Sequence, residues 1–67
     1  MPVVSDNVRL IMALELGSLE EEDIFEAAAA VYITGLHMST GSYGRFVQSV
    51  VDQIGEEEFD KIVKRRL

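Results

Sequence analysis

The chain has 67 residues, no cysteine, one histidine and a net charge of −6. A single domain is all that this length allows, over 1–67, and such a domain buries about 60% of the surface its unfolded chain exposes. Disulfides and thiolate metal sites are excluded, and His37 alone cannot build a metal cluster, so neither a metal nor a cofactor is expected.

Four helices are predicted, giving an all-α fold, a compact bundle of four short helices over about 6–16, 19–34, 42–54 and 56–66. Ser5 can cap the first, which Gly17 stops. On a helical wheel Glu15 falls among Val8, Ile11 and Met12. A carboxylate on an apolar face needs a partner, so Glu15 is expected to accept hydrogen bonds from the 40–43 connector.

Ser18 and Glu21 then read as a capping box opening the second helix. Glu20, Glu21, Glu22 and Asp23 crowd its first turn, where the helix dipole favours negative charge. Ile24, Phe25, Ala28, Val31, Tyr32 and Ile33 cover most of its circumference, while Ala27–Ala30 admits close neighbours. Enclosing such a helix with only three others is difficult in a chain this small, and this is the sequence argument for a homodimer.

After a polar connector in which His37 is expected to be solvent-exposed, Tyr43, Phe46, Val47, Val50, Val51 and Ile54 follow helical spacing. Tyr43 is expected in the core. Arg45, Gln48, Ser49 and Asp52 lie on the opposite face. Gly55 separates this helix from the last, in which Phe59, Ile62, Val63 and Leu67 share a face and Glu57–Lys61 and Asp60–Lys64 are spaced as supporting pairs. The last helix carries glutamates in its first turn and Lys64, Arg65 and Arg66 in its last, an arrangement that the dipole explains without any ligand.

Four of the six basic residues sit at the C-terminal end, so residues 1–60 carry a net charge of −10. Such a surface repels phosphate backbones and attracts basic partners. Nucleic-acid binding is therefore disfavoured. A helix-turn-helix-like DNA-binding protein using the third helix is the alternative reading, but that helix offers one cation, Arg45, beside Asp52. No apolar stretch approaches the roughly 20 residues of a membrane span. Asp6 and Glu15 are incompatible with a signal peptide, so a cytoplasmic location is expected. With no phosphate loop and no Ser/His/Asp set, the chain is not expected to be an enzyme.

The expected function is that of a small acidic non-enzymatic protein-binding module with an unidentified protein partner. Candidate contacts are Glu20, Glu21, Glu22, Asp23 and Glu26, together with Arg45, Gln48 and Ser49. Glu15, Ser18 and Tyr43 have structural roles in this reading. A self-assembling structural protein is a further alternative.

Glu15-Leu16-Gly17-Ser18-Leu19, then Thr34-Gly35-Leu36, then Gly41-Ser42-Tyr43-Gly44-Arg45 resemble a pattern found in short uncharacterised accessory proteins of actinobacterial tailed phages. The resemblance covers roughly residues 6–54. The chain departs from it at Met38-Ser39-Thr40, where a Leu-Gln pair more often precedes the glycine, and in carrying the last helix. The resemblance brings no assigned activity with it. It implies a phage accessory protein acting on a host or phage protein, in the host cytosol.

Overall fold

Hydroxyl caps open two of the helices and a positive-φ glycine follows three of them, and these devices mark where the chain turns. The computed structural model describes residues 5–67; residues 1–4 of the expected domain lie outside the described residues. Four helices are present: α1, Asp6–Leu16; α2, Ile24–Thr34; α3, Gly41–Ile54; and α4, Glu56–Arg66. Short 3₁₀ turns, Glu21–Asp23 and Leu36–Met38, precede α2 and α3. A radius of gyration of 11.3 Å matches the ~11 Å of a compact body of this length.

The Ser5 hydroxyl accepts a hydrogen bond from the Val8 amide, as expected of the α1 cap. At the other end Gly17 adopts φ 69°, and the amides of Gly17 and Ser18 donate to the Leu14 and Ala13 carbonyls. This left-handed closure is open to glycine at little steric cost. It also removes Ser18 from its expected role. Its hydroxyl points back to the Ala13 carbonyl at 3.5 Å, and no capping box with Glu21 forms. The regular helix therefore begins at Ile24, not at residue 19. Glu21–Asp23 form a 3₁₀ turn, which Glu20 precedes in extended conformation without a side-chain cap.

The α3 cap is Thr40, whose hydroxyl accepts from the Tyr43 amide at 3.4 Å. Because Thr40 satisfies this amide, the connector makes no demand on Glu15. Glu15 is exposed and forms none of the expected hydrogen bonds, although it shares a shallow recess with Ser42 and Tyr43. The packed face of α1 is Leu10, Ile11 and Leu14, so Glu15 lies off it. Val8, Met12 and Leu16, at i, i+4 and i+8, point outward as a second apolar stripe.

Helix α2 is the axis of the bundle. Ala27, Ala28, Ala29, Ala30 and Val31 are all at 0% exposure. Five consecutive residues at 100° per residue pass all the way round a helix, so α1, α3 and α4 together enclose it. Alanine makes this possible by keeping the interhelical spaces small. The enclosure is not complete, since Phe25 and Tyr32 of the same helix remain 37% and 46% exposed.

Val47 and Val50 of α3 are buried, with Tyr43, Phe46, Val51 and Ile54 half-buried against them, on the face expected. From α4, Phe59, Ile62 and Val63 complete the core. Leu67, expected on the same face, is exposed because the helix ends at Arg66. Gly44 marks a close approach: a Cβ there would lie 3.1 Å from the His37 carbonyl oxygen, so the connector rests directly on the first turn of α3.

Candidate functional site

The polar residues of the chain fall into three groups: one that closes on itself and two that face outward. The closed group joins α1, α2 and α4. Arg66, near the end of α4, has a side chain only 12% exposed. Its Nε donates to Asn7 Oδ1 at 2.8 Å, its Nη2 pairs with Asp6, and its Nη1 lies 3.7 Å from Glu26 Oε1. Arg65 reaches the other Glu26 oxygen at 3.5 Å, and Arg9 pairs with Asp6 one turn along α1. The hydrogen bond from Arg66, reinforced by that from Arg9, holds the Asp6 carboxyl below its ordinary value, and Asp6 in turn raises Arg9. Glu26 is thus half-buried beside both C-terminal arginines, and its Oε2 is buried with no hydrogen-bond partner.

Along α4, Asp60 and Lys64 form the expected pair at 2.9 Å, which raises the Lys64 ammonium. Lys61 pairs with Glu58 at 3.9 Å, not with Glu57. Among the described residues, every lysine and arginine except Arg45 therefore has an acidic partner in the chain. Glu20, Glu21, Glu22 and Asp23 have no ion pair among the described residues, and the three glutamates are exposed just before α2. Asp23 is half-buried and lies close enough to Arg9 to add to its field.

Arg45, Gln48 and Ser49 are exposed on α3, away from the glutamate turn. Gln48 donates to Asp52 at 2.9 Å and stands at the edge of a groove of about 370 Å³ between α3 and α4. Tyr32, His37 and Phe59 form its aromatic side, and Glu56 and Asp60 its acidic rim. His37, expected in solvent, is half-buried there: its ring centroid lies 4.8 Å from that of Tyr32, tilted by 31°, and its Nδ1 is buried without a hydrogen-bond partner. Phe59 meets the same tyrosine edge-on at 5.7 Å. The residues of this groove come from three helices and a turn, so no short motif announces it. A sequence signal did exist in Tyr32, an aromatic that follows the alanine run near the glycine-terminated end of its helix.

No group of His, Asp or Glu that could hold a metal ion occurs among the described residues, and no helix among them is long and apolar enough to cross a membrane. Compared with protein-family models, curated proteins and solved structures, the chain matches none.

Proposed function

We propose that the chain is a small acidic, non-enzymatic protein-binding module that engages a basic partner. The observation that carries this reading is the uneven satisfaction of charge. Among the described residues, the lysines and arginines are paired with acids apart from Arg45, whereas Glu20, Glu21 and Glu22 are exposed and without an ion pair. A turn of like charges held on a rigid helix start is electrostatically unfavourable alone and complementary to a cationic surface. The resemblance to phage accessory proteins directs the search for that surface to host and phage proteins.

Replacing Glu20, Glu21 and Glu22 by Gln and Asp23 by Asn tests the proposal. Capture of a partner from host or infected-cell lysate by the tagged chain should be lost in this variant, while its helical circular dichroism is unchanged. Undiminished capture would reduce the acidic turn to a feature of helix α2 alone.

A second reading, self-assembly, is favoured by the Val8–Met12–Leu16 stripe. These side chains are 43%, 54% and 79% exposed on one line of α1. An exposed apolar stripe is a common mark of association. Light scattering after size exclusion should then give twice the chain mass for the natural sequence and the single mass for Met12→Glu. A single mass for both would sink this reading.

A further inference from the structure

We propose that the groove between α3 and α4 is an anchor site for one arginine side chain of a basic partner segment, its guanidinium lying against Tyr32 and pairing with Glu56. The inference rests on the reading of a basic partner but assigns a different place on the molecule from the glutamate turn.

Tyr32 supplies the surface. It is 46% exposed, and its ring has two aromatic neighbours, His37 with centroids 4.8 Å apart and tilted by 31°, and Phe59 with centroids 5.7 Å apart and near-perpendicular. A ring already fixed by two neighbours loses little freedom when a ligand lies on it. Aromatic faces attract cations through their quadrupole, tyrosine among them. The charges around the ring have the matching sign. Glu56 and Asp60, one turn apart on α4, line the groove. Asp60 is held by Lys64, whereas Glu56 has no ion pair among the described residues. The positive half-charge at the start of α4 is outweighed by Glu56, Glu57 and Glu58 in the first turn. At about 370 Å³ the groove is at the small end of ligand sites, suited to one side chain and its adjoining backbone.

Arginine fits this arrangement better than lysine. Its guanidinium is planar, stacks on aromatic rings and offers a fork of donors to a carboxylate, whereas an ammonium is a compact and more strongly hydrated charge. Gln48, hydrogen-bonded to Asp52, lines the same groove.

The test is a titration of the ¹⁵N-labelled full chain with N-acetyl-arginine amide, and in parallel with N-acetyl-lysine amide, followed by amide chemical shifts. Saturable shifts are expected at Tyr32, His37, Gly44 and Gln48, with the arginine compound binding more tightly. Tyr32→Leu and Glu56→Gln should each weaken binding by about fivefold, equivalent to ~1 kcal/mol. Tyr32→Phe keeps the aromatic face and should still bind, which separates loss of the ring from loss of the fold. Absence of localised shifts, an equal response to the lysine compound, or unchanged binding in Tyr32→Leu would each overturn the proposal. Shifts confined to residues 20–23 would overturn the groove while leaving the acidic-turn reading intact. Groove binding that persists when Glu20, Glu21 and Glu22 are all changed to Gln, with partner capture also unchanged, would do the reverse.

Discussion

The two ends of the α2–α4 pair treat the same kinds of residue in opposite ways. At the Glu26–Arg66 end, charges from three helices close on one another, and Arg66 is left 12% exposed. At the Tyr32–Phe59 end, an aromatic ring remains 46% exposed and Glu56 has no ion-pair partner among the described residues. The difference teaches where stability and recognition are separated in so small a protein. A partly desolvated ion pair holds helices in register, and removing one partner leaves the other uncompensated. A half-exposed ring and a carboxylate without an ion pair contribute less to the fold and remain available to a ligand.

The comparison breaks most sharply inside the groove end itself. Phe59→Ala removes a core ring that is 6% exposed and should cost about 3–5 kcal/mol, enough to unfold most of a small domain. Tyr32→Leu, in contact with it, should stay within about 0.5 kcal/mol of the natural sequence. Chemical denaturation followed by circular dichroism distinguishes them. Equal losses would mean that Tyr32 belongs to the core.

At the other end, Arg66→Met leaves Glu26 with Arg65 alone and should cost about 1–3 kcal/mol. For a domain of this size that lowers Tm by roughly 4–8 °C per kcal/mol. A change of less than about 1 °C in a thermal melt would show that the clamp is not structural.

Thr40→Ala should cost about 1 kcal/mol, because the hydroxyl caps α3. Ser18→Ala should cost less than about 0.5 kcal/mol, since no helix depends on its side chain. The two melts side by side test which residue is the cap.

The smallest effect is one of pH. Asp6 titrates below its ordinary 3.8 in the folded chain, first because of Arg66 and then Arg9. A depressed folded value means that its contribution is complete above about 3.8 and is lost as the pH falls below it, through the folded value. Asp6→Asn should therefore flatten the acid limb of a stability–pH profile and leave the neutral region parallel. An unchanged acid limb would show that the Asp6 pairs carry no linkage.

Much of the fold was legible along the chain because its signals are local. Ser5 and the glycines at 17, 35 and 55 mark helix ends, and the six apolar residues from Tyr43 to Ile54 mark a buried face whatever packs on it. The errors share a cause. Ser18 could cap α2 or help close α1, and the left-handed turn at Gly17 decides for α1. Glu15 was placed on an apolar face that proves to be two stripes, one packed and one exposed, and periodicity does not say which of them meets α2.

The candidate site was less legible. The acidic turn is contiguous, and its exposure follows from its charge. The groove is assembled from Tyr32, His37, Gln48, Glu56 and Phe59, which no spacing rule connects.

By itself the sequence determined four helices, their approximate ends, an alanine-rich central element and a strongly acidic body with a basic end. These depend on backbone preferences and side-chain periodicity within a turn or two. Only the tertiary structure decided that Arg66 meets Asp6 sixty residues away, that Glu26 is locked by the C-terminal arginines, and that His37 rests on Tyr32. Those contacts depend on how helices cross. The crossing is set by the collective packing around Ala27–Val31, where every side-chain volume counts at once.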